Sequence, residues 1–116
     1  MATEKTVTQQ MEEEYPEIAK EYKKILKEQY ELFAGKMLDY GLGNISMGTR
    51  LETQDEKKLS LTAVWIRMND KMNRLKNLVL LGRENRVADE SVTDSYRDIT
   101  NYGIIAQIVQ NNMWKK

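Results

Sequence analysis

The chain has 116 residues, and its 18 basic and 18 acidic side chains give a net charge of zero. This balance argues against a general nucleic-acid coat or a polybasic membrane anchor, because both need net positive charge. Cysteine and histidine are absent, which excludes disulfides, thiolate nucleophiles, serine–histidine triads and most zinc sites. Any anion must therefore be held by a local basic cluster, and any catalysis must use carboxylate, amine or hydroxyl groups.

The first 14 residues lack apolar periodicity, so we expect a mobile N-terminal arm followed by a single helical domain over residues 15–116. The arm is polar and acidic, unlike a secretory signal or a transit peptide. No apolar run approaches the roughly 20 residues that cross a bilayer. Together with the lack of cysteine, this predicts a cytoplasmic protein with no membrane partner.

A first helix is predicted over residues 16–40. Proline is favoured in the first turn of a helix, which suits Pro16, and Gly41 and Gly43 favour a C-terminal end after Tyr40. One face repeats at spacings of three and four, which is typical of an amphipathic helix. Its residues are Ile18, Tyr22, Ile25, Leu26, Gln29, Phe33 and Met37.

Residues 41–58 contain three glycines and predict a loop, after which a second helix is expected over residues 59–81 with Gly82 at its C-cap. The apolar side chains of this helix again share one narrow face. They are Leu61, Val64, Trp65, Met68, Met72, Leu75 and Val79. This stripe predicts that Trp65 lies in the core and is not a stacking platform for a base.

The third helix is predicted over residues 89–112, with Asp89 as its N-cap. Its second half is apolar on most faces because Ile104, Ile105 and Ile108 widen the stripe. Such a helix needs burial on several sides, which three helices of one chain do not readily provide. The sequence therefore predicts an all-α protein of three long helices that assembles as a homo-oligomer.

Polar residues of the second and third helices predict a shared cluster, because a short turn makes these helices antiparallel neighbours. One arc of the second helix carries Arg67, Asp70, Lys71 and Arg74, and the third helix carries Glu90, Asp94, Asp98 and Asn101. Two interpretations stay open. The cluster is either an interhelical salt-bridge network or a ligand site, in which the cations bind phosphate oxygens and the acids hold a metal or contact ribose or base.

Three blocks of the sequence carry a family resemblance. They are Lys36-x-x-Asp39-Tyr40-Gly41, then Arg67-x-x-Asp70-Lys71-x-x-Arg74-Leu75 followed by Asn77-Leu78, and finally Glu90-Ser91-x-x-Asp94-x-x-x-Asp98-Ile99-x-Asn101-Tyr102. In their order and spacing, over roughly residues 33–108, the chain resembles the first of the nucleotide modification associated domain families. These are small helical proteins encoded largely by bacteriophages.

The resemblance implies that the protein binds a nucleotide or nucleotide-derived ligand in the cytoplasm of the infected host. The residues that it implies for binding the ligand or its phosphate are Lys36, Tyr40, Arg67, Lys71, Arg74, Asn77, Asn101 and Tyr102. Those that it implies as metal ligands, with Mg²⁺ as the candidate ion, are Asp70, Glu90, Asp94 and Asp98. No catalytic residue is assigned, and a nucleic-acid partner is not expected.

The helical pattern is also distantly similar to the all-α nucleoside triphosphate pyrophosphatases, which hold Mg²⁺ with an E-x-x-E and an E-x-x-D pair. This chain departs from both pairs, since it has Arg67-x-x-Asp70 and places Ser95 three residues before Asp98. Three functions therefore stay open. They are Mg²⁺-dependent hydrolysis of a phosphoanhydride, sequestration of a nucleotide immune signal of a bacterial anti-phage system without catalysis, and a structural or adaptor role.

Overall fold

The computed structural model describes residues 4–116. They form helices α1 (Val7–Glu14), α2 (Pro16–Tyr40), α3 (Gly43–Ser46), α4 (Gln54–Leu75) and α5 (Val92–Gln110), with a π-helical turn (Lys76–Leu80) continuing α4. These residues contain no strand, which confirms the all-α class. No helix within them is both long and apolar enough to span a membrane. The chain divides into two compact units, residues 1–35 and residues 36–116, with the boundary inside α2.

In the first unit, α1 lies in the segment expected to be a mobile arm. Its N-terminus is held by a capping box, in which the Gln9 backbone N–H donates to Thr6 Oγ1 at 3.1 Å and the Thr6 N–H donates to Gln9 Oε1 at 3.0 Å. An ion pair of 2.8 Å between Lys23 and Glu12 links α2 to α1. Residues 1–3 of the expected arm lie outside the described residues. The arm's mobility and the single domain over residues 15–116 stay predictions.

The ends of α2 agree with the prediction of a helix over residues 16–40. Gly41 has a φ of +69°, a left-handed conformation that glycine adopts without a steric penalty. Its N–H donates to the Met37 carbonyl at 2.9 Å, which satisfies an acceptor of the last turn. The following segment is less irregular than predicted, because it contains the short helix α3.

The second long helix, α4, begins before the predicted residue 59. Thr53 and Glu56 form a capping box there, with the Glu56 N–H 3.1 Å from Thr53 Oγ1 and the Thr53 N–H 3.1 Å from Glu56 Oε1. At the other end, regular α-helix stops at Leu75 and the chain continues as the π-helical turn. Gly82 then follows the turn with a φ of +63°. The predicted start at residue 59 is therefore wrong, whereas helical backbone continues to Leu80, close to the predicted end at residue 81.

The predicted start of the third helix at Asp89 is also wrong, because α5 begins at Val92 with Ser91 as its N-cap. The Asp94 N–H donates to Ser91 Oγ at 3.2 Å, and the Ser91 N–H donates to Asp94 Oδ2 at 3.0 Å. Asp89 lies in the turn before this cap. At the C-terminal end, α5 stops at Gln110, before the predicted residue 112.

The core of the second unit forms where α3 and α5 pack against α4. Its buried apolar side chains are Ile45, Val64, Leu75, Ile105, Val109 and Trp114. Two hydrogen bonds to backbone carbonyls pin this core. Ser60 Oγ donates to Ile45 O at 2.6 Å, and Trp114 Nε1 donates to Leu42 O at 3.0 Å. The C-terminal tail is thereby tied to the segment that follows α2.

The expectation that Trp65 belongs to the core is wrong, since this residue is 63% exposed while its neighbour Val64 is buried. Consecutive helical residues lie about 100° apart around the axis. A face that includes Val64 can therefore pack inward while Trp65 stays at the surface.

Candidate functional site

Helices α4 and α5 run antiparallel, and side-chain contacts define their register. Near the N-terminal end of α4, Lys57 Nζ donates to the Gln110 carbonyl at the end of α5, at 3.4 Å. Near the C-terminal end of α4, Arg74 contacts Ser95 in the first turn of α5. This arrangement brings the predicted polar arcs of the two helices together.

A triad of Lys36, Lys71 and Asp98 lies at the centre of the cluster. Lys36 at the end of α2 places its ammonium 3.3 Å from Asp98 Oδ1, and Lys71 of α4 places its ammonium 3.1 Å from Asp98 Oδ2. Each oxygen of one carboxylate therefore holds a different lysine. The Lys36 side chain is 48% exposed and that of Lys71 is 28% exposed, so neither side chain is fully enclosed by the protein.

The electrostatics of the triad keep Lys71 charged. Burial lowers the pKa of Lys71, but the hydrogen bond and the charge of Asp98 outweigh it. With smaller contributions from Glu90 and Tyr102, they raise the pKa above the usual 10.5. Lys71 is therefore a permanent cation at physiological pH.

Arg67 lies one helical turn before Lys71 and extends the positive surface. Its Nη2 donates to the Asn44 carbonyl in α3 at 2.9 Å, which fixes the guanidinium group. The side-chain oxygen of Asn44 is buried without a hydrogen-bond partner among the described residues. A guanidinium group carries five donors, so one bond to Asn44 leaves most of the binding capacity of Arg67 unused.

The remaining predicted ligand residues divide into two groups. Asn101 is buried, and Tyr102 lies near enough to Lys71 to contribute to its raised pKa. Tyr40 and Asn77 are exposed, and their side chains make no hydrogen bond or ion pair with the triad in the described part of the chain. The structure thus brings Tyr102 toward the predicted cluster, buries Asn101 and leaves Tyr40 and Asn77 at the surface.

Arg74 forms a separate network that joins α4 to the start of α5. Its Nη1 donates to Ser91 O at 3.0 Å and to Ser95 Oγ at 2.8 Å, while Nη2 donates to Asn85 Oδ1 at 3.1 Å and to the Glu90 carbonyl. The Glu90 carboxylate lies 3.6 Å from Nε. Because these acceptors surround the guanidinium group, Arg74 has little capacity left for a phosphate.

The four acids proposed as metal ligands have different surroundings. Asp98 faces the two lysines, and Glu90 faces Arg74. Asp94 caps α5, and the hydrogen bonds from Ser91 lower its pKa below the usual 3.8. Asp70 is exposed.

These surroundings do not fit a magnesium site. Within residues 4–116, no three acidic side chains converge in a way that could hold a metal ion. Mg²⁺ in proteins is bound by oxygen ligands in nearly octahedral geometry, whereas Asp98 and Glu90 face cations and Asp94 accepts from the Ser91 N–H. No step of a reaction can be derived through a metal at this arrangement.

Several residues of the cluster carry no local pattern that points to their role. Asn44 lies in α3, in a segment predicted as a loop, and its carbonyl meets Arg67 only through the packing of α3 on α4. Asn85 lies in the turn between the helices and donates to the Glu90 carbonyl at 2.7 Å. The only sequence signal at Ser95 is that it occupies a position at which the pyrophosphatase pattern has an acid.

A family model described as nucleotide modification associated domain 1 matches residues 36–109. No curated protein and no solved structure matches the chain. The matched stretch is well over half of the 116 residues, and it contains both the triad and the Arg74 network. The chain therefore belongs to the nucleotide modification associated domain 1 family.

Proposed function

We propose that this protein binds a nucleotide or nucleotide-derived molecule, with its phosphate at Lys36, Lys71 and Arg67. The supporting observation is that two lysines share one carboxylate, with distances of 3.3 and 3.1 Å to its separate oxygens. Arg67 adds a third cation one helical turn before Lys71 on α4, while Asp98 and Glu90 are the acids that raise the pKa of Lys71. This local excess of positive charge can hold phosphate oxygens even though the whole chain is neutral.

The role of Asp98 in this proposal is to position cations. A carboxylate between two ammonium groups holds both long side chains in place, so less of their conformational freedom is lost when the ligand arrives. Phosphate oxygens can then approach the exposed donors of both lysines without displacing Asp98, because an ammonium group has three donors.

Binding without hydrolysis is the better supported form of this function. Mg²⁺-dependent hydrolysis needs carboxylates that are free to bind the metal together with substrate phosphates, whereas Asp98, Glu90 and Asp94 are each engaged by a cation or an N–H group of the protein. Sequestration of a nucleotide signal needs only retention of the ligand. We therefore favour a phage protein that retains a nucleotide in the cytoplasm of the infected cell.

Self-association is part of the same proposal. In the second unit, Leu38, Ile66 and Leu80 are large apolar side chains that are at least half exposed. Exposed side chains of this kind are candidates for an interface between copies of the chain. A native mass spectrum of the protein purified from cells would report both the number of copies and any retained small molecule.

Thermal unfolding in the presence of nucleotides tests the binding site. A ligand at about 100 times its dissociation constant stabilises the folded state by about 2.7 kcal/mol, which raises the Tm by roughly 10 °C in a domain of this size. The panel comprises mono-, di- and triphosphates of the common nucleosides and cyclic dinucleotides. Lys36→Gln and Lys71→Gln should each reduce the shift, whereas Lys20→Gln, an exposed lysine of the first unit, should preserve it.

The same experiment separates the alternatives. Chromatography of the ligand after incubation with Mg²⁺ should recover it unchanged, and a cleaved product would establish hydrolysis. A cluster that is only structural predicts a lower Tm in Lys71→Gln and no response of the wild type to any nucleotide. That result would reject the proposed function.

A further inference from the structure

A groove beside Trp65 lies at the opposite end of α4 from the triad. It has a volume of about 590 Å³ and is open to solvent. The polar and aromatic residues that line it are Gln54, Lys57, Lys58, Thr62, Trp65 and Gln110. Ligand pockets of roughly 300–1,000 Å³ are the usual size for small molecules. We call this feature the Trp65 groove.

The indole of Trp65 is available to a ligand. The side chain is 63% exposed, and it makes no hydrogen bond or ring contact with the rest of residues 4–116. Purine and pyrimidine bases stack on exposed aromatic side chains of this kind, with little dependence on base identity. An exposed tryptophan in a groove that also holds polar groups is therefore suited to an aromatic ligand.

The charge of the groove selects an anionic ligand. Lys57 and Lys58 line it, and no acidic side chain does. Lys57 donates to the Gln110 carbonyl at 3.4 Å, which leaves two of its three donors. Lys58 has no ion-pair or hydrogen-bond partner within the described part of the chain. The groove thus offers two ammonium groups to a phosphate.

We propose that the Trp65 groove binds a free nucleotide, with the base stacked on Trp65 and the phosphate on Lys57 and Lys58. Gln54 and Gln110 line the same groove. Since an amide both donates and accepts hydrogen bonds, these two residues can pair with polar atoms of the base or the ribose.

This groove is a second site and does not depend on the proposed function of the triad. Lys58 and Lys71 both lie on α4, and their 13-residue separation corresponds to roughly 20 Å at 1.5 Å per residue. One mononucleotide cannot bridge that distance. Substitutions in the groove therefore leave the triad intact, and the two sites can fail separately.

Tryptophan fluorescence of the full chain tests the proposal, because Trp65 is exposed and Trp114 is buried. The titrants are adenosine monophosphate, adenosine, and a short single-stranded deoxyadenosine oligonucleotide. Adenosine monophosphate should quench the emission, and adenosine should bind about tenfold more weakly because it lacks the charge-assisted hydrogen bonds. Trp65→Phe should abolish the quenching, since only the buried Trp114 then emits.

The matched variants locate the phosphate. The double substitution Lys57→Gln and Lys58→Gln should bring the affinity for adenosine monophosphate down to that for adenosine. Lys36→Gln should leave the quenching unchanged, and a loss in that variant would assign the signal to the triad and overturn the proposal.

Equal quenching by adenosine and its monophosphate would also overturn the proposal, as would binding of the oligonucleotide alone. Emission that shifts to the blue with protein concentration, without ligand, would place a second copy on Trp65 instead.

Discussion

Arg74 donates from Nη1 to the hydroxyl of Ser95 at 2.8 Å, across the interface between α4 and α5. Ser95 is 2% exposed and stands three residues before Asp98, where the pattern of the all-α pyrophosphatases has an acidic metal ligand. In this chain the position therefore anchors an arginine through a hydroxyl.

Arg74→Lys should lower the free energy of unfolding by about 2–3 kcal/mol, because one ammonium group cannot reach the acceptors that surround the guanidinium group. Urea denaturation measures this change. Arg86→Lys is the matched control, since the Arg86 side chain is 83% exposed and has one ion-pair contact at 3.7 Å. The control should change stability by less than about 0.5 kcal/mol. Equal losses in the two variants would contradict a structural role for Arg74.

Asp98→Asn should lower the free energy of unfolding by about 1–2 kcal/mol near neutral pH, as expected for a half-buried ion pair. It should also change how the free energy of unfolding falls at alkaline pH. The folded-state pKa of Lys71 is raised above its usual value of 10.5. The stability that Lys71 contributes is therefore fully present below pH 10.5 and is lost as the pH rises through the higher folded-state pKa. Urea denaturation at neutral pH and above pH 10.5 should show a smaller alkaline loss in the variant. An equal loss of stability above pH 10.5 in the wild type and the variant would show that Asp98 does not raise the pKa of Lys71.

Ser91→Ala should lower the free energy of unfolding by about 1 kcal/mol, because it removes the side chain that caps α5. Asp89→Ala provides the comparison, since both residue types are good N-caps but only Ser91 occupies the position. We expect Asp89→Ala to stay within about 0.5 kcal/mol of the wild type in thermal unfolding. A larger loss in Asp89→Ala would indicate that α5 starts where the sequence pattern predicts.

Two glycine substitutions should have opposite effects on stability. Gly82 has a φ of +63°, so Gly82→Ala introduces strain and should destabilise by about 1 kcal/mol. Gly103 lies inside α5, and a Cβ atom there would meet nothing within 4 Å. Gly103→Ala should stabilise by about 0.5–1 kcal/mol, since alanine is the better helix former. Chemical denaturation of both variants would check the two signs together.

Local signals predicted some boundaries well and others poorly. For α2, Pro16 and Gly41 act through their own backbone preferences, so no distant contact was needed. For α5, two good capping residues lie close together, and local preference does not choose between them. The contacts of Arg74 with the carbonyls of Glu90 and Ser91 hold the chain in the conformation in which Ser91 is the cap.

The candidate site likewise combines features that local sequence signals predict with features that depend on packing. The sequence pattern placed Lys71 and Asp98 on facing helices because the short connection makes those helices antiparallel. It also assigned Trp65 to the core, since a helical stripe does not reveal which edge of the face is covered. That choice depends on where α3 and α5 pack on α4, which the periodicity of α4 does not contain.

The sequence by itself determined the all-α class, the bounds of α2 and part of the polar cluster, since periodicity, helix-ending residues and motif spacing act over a few residues. Only the tertiary structure decided the partners within that cluster. Lys36 meets Asp98, and Arg67 meets the Asn44 carbonyl, because packing brings together elements that are distant along the chain. It also left Trp65 exposed beside two lysines. Local sequence patterns specify which side chains share a helix face, and packing decides which of them are paired or buried and which stay exposed.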